Sequence, residues 1–551
     1  MSTKFQPLEI PPGVVAKPTK NMNSSNWAEV NLCRWVEGQL TPVGGQAQYD
    51  YAIPFASRVK RIHGWYGLDQ IYRIAYLCEA NLYVDEGGTL IDISPGTGVT
   101  DVNYSDGDYS DGLYSGATTQ PITPPFIGAG GYGEGLYSAS TYGTPRPESD
   151  AVLLDRVPDA FSLDNFGSIL YAMTSPDGRL LMWDPAVGGE AVAQPAAGTR
   201  GPVPLGRCFV VTQERFIIIF GSTNDGTVDG GGPRRFAWCD QENPGAWDYS
   251  NVTSQAGFLD IEPASPIITA IATRTGTLFW TGKKAYVSQF LGIPYIYNYV
   301  ELANNCTPWS PQSMIATSSM TLWMSQQGMF SFDGTSIAPI ACMVRPWIDD
   351  DIDILNVREQ ACLVHVGNFN EAWWFFPQDG QPYNTRVAIY SYKEGWWSQG
   401  QMSRSAGITA SYTAHTIMAD GLVAYEHEAS NTYPSNVPLP WAETFDLTLT
   451  SGARLITIKQ IIPDVEGDVA NLLYSLFYKN SRSVMPDPMS GRPVPVVEQQ
   501  TTPRPVNTSN GYVDMRTTGR DIRLRIALAG PLVNPVTVGA HLVDSVVRGD
   551  R

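Results

Sequence analysis

Charge is what this chain has least of. Asp, Glu, Lys and Arg make up 16% of its 551 residues, against about 25% in an ordinary globular chain, which argues against a long coiled coil. The shortage falls on the basic side: 36 Lys and Arg face 54 Asp and Glu, a formal net charge of −18. Gripping nucleic acid requires a basic surface that neutralises phosphates, so a tight DNA or RNA binder is disfavoured. Cys33, Cys78, Cys208, Cys239, Cys306, Cys342 and Cys362 are odd in number, dispersed and never in a CxxC pair. That pattern fits neither a zinc site nor a disulfide framework and predicts buried, reduced thiols. No apolar run nears the ~18 residues of a membrane helix; the run from Phe216 to Phe220 is only strand-sized. The opening MSTKFQPLEIPPGV has no charged-then-apolar export layout, so a soluble protein without an export signal is expected.

Catalytic signatures are missing too. There is no GxSxG, no HExxH and no GxGxxG opening a helix. The stretch from Gly276 to Lys284 imitates a phosphate loop. Five residues separate its glycines, however, Lys replaces Ser or Thr, and Phe279 and Trp280 lie inside it, so it reads as a hairpin. The five histidines (His63, His365, His415, His427 and His541) are dispersed. His427, between Glu426 and Glu428, offers a metal corner, but without a paired His it reads as an exposed strand end. Asp101, Asn103, Asp106, Asp108 and Asp111 imitate a calcium loop whose glycine falls one position late and which no Glu closes. The carboxylates Asp349, Asp350, Asp351 and Asp353 invite comparison with a glycosidase pair, yet adjacent acids read as a solvated turn. Ser175-Pro176-Asp177-Gly178, with Trp183 too far along, falls short of the Ser-x-Asp-x-Gly-x-x-Trp box. No catalytic, cofactor-binding or metal-binding residue is assigned, and no cofactor is expected.

What the chain does have is turns and aromatics: 52 Gly, 41 Pro, 27 Tyr and 15 Trp, within 43% hydrophobic residues. They fall into a recurring couplet of two short apolar runs joined by a turn, as in residues 71–86, 168–185, 275–290, 320–334 and 415–428. Tyr83, Trp183, Trp238, Tyr286, Phe330, Tyr390 and Tyr425 mark the second runs, and from Trp183 onward they recur about every 48 residues. Sheet units of that length, each with a face that only its neighbours cover, predict an all-β fold, a β-propeller-like body of six or seven blades. A pair of β-sandwiches is the rival arrangement. The division expected is an N-terminal docking segment (1–54), a propeller (55–440) and a C-terminal β-sandwich-like domain (441–551). A Gly/Tyr/Asp-rich tract at 101–145 is read as a projecting loop inserted in the propeller. The boundary near 440 follows composition. From Trp441 onward there are 12 basic and 11 acidic residues, which leaves −19 on the first 440 residues, and every Trp and Cys lies at or before Trp441.

Three stretches together resemble a known family. The first is Pro11-Pro12-Gly13, followed by Asn31-Leu32-Cys33-Arg34-Trp35-Val36-Glu37-Gly38 and Pro42-Val43-Gly44-Gly45. The second runs from Arg235 through Trp238 and Asn243-Pro244-Gly245 to Trp247, and on to Gln289-Phe290-Leu291-Gly292 and Asn304-Asn305-Cys306. The third is the tract ending Tyr142-Gly143-Thr144-Pro145, with Gly519 to Arg525 near the C-terminus. In this order they are similar to the tail nozzle (tail hub) proteins of short-tailed bacteriophages, the podoviruses. The resemblance implies a non-enzymatic virion component made in the host cytoplasm. It would assemble as a homohexameric ring below the portal and adaptor proteins, meet tail fibres or spikes and the host surface, and take part in genome retention and ejection. Duplex DNA would pass without tight binding, and an acidic body poor in Lys and Arg suits such a conduit. A different class remains open, a carbohydrate-binding or glycan-hydrolysing propeller acting at the host surface, with Trp373, Trp374, Trp396 and Trp397 stacking on sugars.

Overall fold

The computed structural model describes residues 4–16, 26–96, 121–122, 157–261, 265–408, 413–447, 455–479, 485–486, 493–494, 498–507, 509–531 and 534–547. Seven four-stranded antiparallel sheets follow one another along most of the chain. Blade 1 comprises Val59–Tyr66, Tyr72–Cys78, Leu82–Glu86 and Thr89–Asp92. Blade 2 comprises Phe161–Phe166, Ile169–Thr174, Leu181–Trp183 and Val192–Ala193, and blade 3 Cys208–Val211, Ile217–Phe220, Arg235–Trp238 and Gly257–Asp260. Blade 4 is Ile267–Thr273, Gly276–Thr281, Lys284–Phe290 and Tyr297–Asn304; blade 5 is Met314–Ala316, Thr321–Ser325, Gly328–Phe332 and Ile337–Ile340. Blade 6 is Cys362–Val366, Glu371–Pro377, Asn384–Ser391 and Trp397–Gln401. Blade 7 takes three strands from the end of the series, Ala406–Ile408, Ile417–Asp420 and Val423–Ser430. Its fourth, Gly45–Gln48, comes from far upstream.

The first strand of each blade packs against the first strand of the next, and the seventh returns to the first, so the ring is closed. The chain is a seven-bladed β-propeller. All seven aromatic markers fall on the third strand of their blade. Tyr83, Trp183, Trp238, Tyr286 and Tyr425 are buried, while Phe330 and Tyr390 are half-buried. In blades 1, 4, 5 and 7 the marker lies one tight turn beyond the second strand, whereas in blades 2, 3 and 6 a longer loop intervenes. In blade 7, for instance, Asp420 pairs Val423 across Gly421, whose φ of +60° suits a two-residue hairpin.

Blades bury their faces against each other. Leu77 and Val84 of blade 1 share a core with Phe161, Leu163 and Trp183 of blade 2; Phe216 to Phe220 of blade 3 pack with Phe279 and Tyr286 of blade 4. Ile122, from the 101–145 tract, is buried in the core between blades 1 and 2. Apart from Pro121 and Ile122, the tract lies outside the described residues, the acidic set from Asp101 to Asp111 included.

Besides the two-stranded pair Met485–Pro486/Pro493–Val494, the C-terminal residues form three further sheets, and the N-terminal residues enter all three. Lys4–Leu8 pairs with His541–Val547 beside Ile456–Ile462 and Val513–Gly519. Trp27–Asn31 pairs with Trp441–Thr444, which continues through Asp521–Leu528 to Leu472–Lys479. The hairpin Cys33–Val36/Gln39–Pro42 joins Thr537–Val538 and Val465–Glu466. In Asp521–Leu528, Ile522, Leu524, Ile526 and Leu528 point into the core, while Arg523 and Arg525 are half-buried against Glu443. This end domain shares one core with the propeller: Ile458, Leu476, Leu524 and Val543 pack in the same cluster as Met324 of blade 5 and Trp374, Phe376 and Trp397 of blade 6. The stretch expected to dock on neighbours thus clasps the chain's own two parts together.

Candidate functional site

Two places concentrate buried polar chemistry: the clasp and the axial channel. In the clasp, Arg34 lies on the hairpin that leads to blade 7, and its side chain is almost wholly buried. Its guanidinium pairs with Glu371 of blade 6 at 3.2 Å and with Glu428 of blade 7, and stacks over the Phe369 ring at 3.6 Å. Burial pulls the guanidinium down, but Glu371 and Glu428 together outweigh it and hold it above its ordinary value. Beside it, Arg404 is fully buried, donates from Nε to His427 Nε2 at 2.9 Å, and reaches the Gln46 side chain on the closing strand. Burial, then Arg404 and Arg34, push His427 well below its usual value, so the ring is neutral.

His427 corrects the expectation of an exposed strand end: it is 2% exposed. The edge on which it lies is covered by Gly45–Gln48, with a bulge in the pairing between His427 and Ser430. The motif glycines serve this close approach. A Cβ on Gly45 would sit 2.4 Å from the Thr432 carbonyl oxygen and 2.5 Å from that of Ser430.

The channel runs along the propeller axis and is lined by residues of all seven first strands around a cavity of about 400 Å³. Alternation along a strand brings Arg61 and His63 to the wall from blade 1, Ser162 and Asp164 from blade 2, and Leu363 and His365 from blade 6. Asp164 accepts from the Asn165 N–H at 2.9 Å and the Val211 N–H at 3.2 Å. Burial raises its carboxyl, while His63 and Arg61 oppose that rise. His63 hydrogen-bonds Asn165 at 2.9 Å and His365 hydrogen-bonds the Tyr392 hydroxyl at 3.0 Å; burial lowers His365. Sequence reasoning missed this constellation, because residues from distant blades meet only when the ring closes.

The motifs weighed from sequence have structural roles. Gly276–Thr281 and Lys284–Phe290 form the expected hairpin across Gly282 and Lys283. Asp177 holds Arg179 at 2.5 Å. The acidic run is a correction. Asp349 and Asp350 are exposed, as expected, but the run ends the short helix Arg345–Asp351 rather than forming a turn, and Asp349 and Asp351 pair with Arg345 and Arg386, each at 2.6 Å. Asp353 is buried and accepts from the Leu355 and Asn356 N–H groups at 2.9 Å. Trp373, Trp374 and Trp397 are buried and Trp396 half-buried, so they are core residues rather than a sugar platform. Among the described residues, no group of three or more His, Cys, Asp or Glu is placed to hold a metal ion, and no helix is long and apolar enough to cross a membrane. All seven cysteines are unpaired, six of them buried and Cys342 half-buried.

Fold and channel define the class: a seven-bladed β-propeller clasped by its own N-terminal strands to an end domain. No protein-family profile matches the chain, and no curated sequence does. Solved propellers resemble it faintly. A gluconolactonase from Xanthomonas campestris is 10% identical at a TM-score of 0.28, with 78% of this chain and 98% of that one covered. Virginiamycin B lyase from Staphylococcus aureus is 7% identical at a TM-score of 0.29, covering 52% and 92%. Hsv2p of Kluyveromyces lactis is 8% identical at a TM-score of 0.28, covering 70% and 92%. At these scores the likeness assigns no activity to the chain.

Proposed function

We propose that the chain is a non-enzymatic structural component of a short-tailed bacteriophage tail, one subunit of a ring-shaped nozzle continuing the DNA channel below portal and adaptor. The observation that carries this reading is the role of the motif on which the resemblance rests. Arg34, Trp35, Pro42, Gly44 and Gly45 all lie on the segment that ties the propeller to the end domain, with Arg34 sealed between Glu371 and Glu428. The motif therefore serves architecture, as it does in a subunit whose work is to assemble. The charge balance agrees, since −19 on the first 440 residues gives duplex DNA few phosphate ligands. In the same reading, tail fibres and the host surface meet loops at the ring's outer face.

Cryo-electron microscopy of the virion, with native mass spectrometry of the purified chain, tests the proposal. The expected result is a ring of six copies on the tail axis. A monodisperse monomer, with no ring in the particle, overturns it.

A further inference from the structure

The axial cavity holds a charged group that the fold leaves without a hydrogen-bond partner among the described residues, with Asp164 as an opposing charge across the wall. Arg61 lines it, half-buried, and makes no hydrogen bond or ion pair with any described residue. The other titratable groups on the wall are engaged: His63 by Asn165, His365 by Tyr392, and Asp164 by two backbone N–H groups. A guanidinium carries five N–H donors in a fixed planar fork, and a partly desolvated cation without acceptors is costly. An occupant of the cavity supplies those acceptors at least cost if it is planar and anionic.

We infer that the channel is a binding site for a small organic monocarboxylate, held by its carboxylate on Arg61 with its apolar body against Ile271, Met314 and Leu363. The space of about 400 Å³ lies within the range of ligand pockets, roughly 300–1,000 Å³. One cation faces it, and Asp164 shares the wall, so a singly charged anion is favoured over a phosphate dianion. Solvent reaches the site, since Ala272 on the lining is exposed and Ile271 half-buried. The inference is independent of the assembly proposed above.

Isothermal titration of the full chain with benzoate, benzamide and inorganic phosphate tests it. Benzoate is expected to bind, with benzamide and phosphate weaker by about tenfold or more, the loss of one charge-assisted contact. Arg61→Gln should weaken benzoate by a similar factor, whereas Asp164→Asn, which removes the opposing carboxylate, should tighten it. Failure of benzoate to bind, phosphate binding more tightly than benzoate, or affinity unchanged in Arg61→Gln overturns the inference. If Arg61→Gln does not fold, the direction of the Asp164→Asn change decides. A crystal soaked with 4-bromobenzoate gives a second readout, with bromine density in the channel supporting the site and density only elsewhere overturning it.

Discussion

Arg34 carries a full charge into a place from which water is almost excluded, and its two carboxylate partners come from different blades. Removing one member of a buried ion pair strands the others, at a cost of about 3–5 kcal/mol. Arg34→Met is therefore expected to lower the urea midpoint sharply, and neutralising both acids as well (Glu371→Gln with Glu428→Gln) should recover part of the loss. His541 gives a pH-dependent counterpart in the end domain. It is 1% exposed, its Nδ1 is buried without a hydrogen-bond partner, and burial lowers it from 6.5 to about 4. A histidine depressed on folding binds fewer protons native than unfolded, so its contribution is intact above pH 6.5 and is lost as pH falls toward 4. The loss is about 3 kcal/mol. His541→Gln should flatten that part of the profile, read as a smaller change in urea midpoint between pH 7 and pH 4.5 than in the parent chain.

At the scale of the strand, closure of the ring depends on Gly45–Gln48 fitting against blade 7. Gly45→Ala places a methyl group against the Ser430 and Thr432 carbonyls, both of them backbone. Overpacking of this kind costs about 1–3 kcal/mol. The expected outcome is a lower melting temperature and earlier proteolytic cleavage near residues 45–48, with Gly232→Ala, next to open space and without a positive φ, as the milder comparison. The blades were legible because their information is local: Tyr83, Tyr286 and Tyr425 each follow a hairpin turn by a few residues, and all seven markers lie on third strands. The closing strand was not legible. Gly45–Gln48 is short, and its partner Val423–Ser430 lies hundreds of residues away, so no periodicity links them. His427 was misread for the same reason, since its burial comes from that distant strand. The indoles of Trp373 and Trp374 could not be sorted into core or surface while the blade's neighbours were unknown. In the structure Glu371–Pro377 is buried at every position. The Arg61–Asp164 wall was hidden likewise, as it spans the gap between the first two blades.

For the whole molecule, the clasp makes the propeller and the end domain interdependent. Each of the three larger end-domain sheets takes strands from the N-terminal segment: Lys4–Leu8, Trp27–Asn31 and the Cys33–Pro42 hairpin. A fragment of residues 441–551 should therefore stay largely unfolded alone by circular dichroism and gain β structure when a peptide of residues 1–44 is added. Independent folding of the fragment would refute the interdependence. The clasp also bears on how the protein is made. Lys4 sits opposite Ser545, so a strand made early pairs with one made hundreds of residues later. Throughout synthesis that strand, and the open side of blade 7 until Gly45–Gln48 seats, present unpaired backbone that invites mispairing with other chains. A copy that stops short of His541–Val547 leaves Lys4–Leu8 and one side of Ile456–Ile462 unpaired, so translation must pass that strand before the sheet can close.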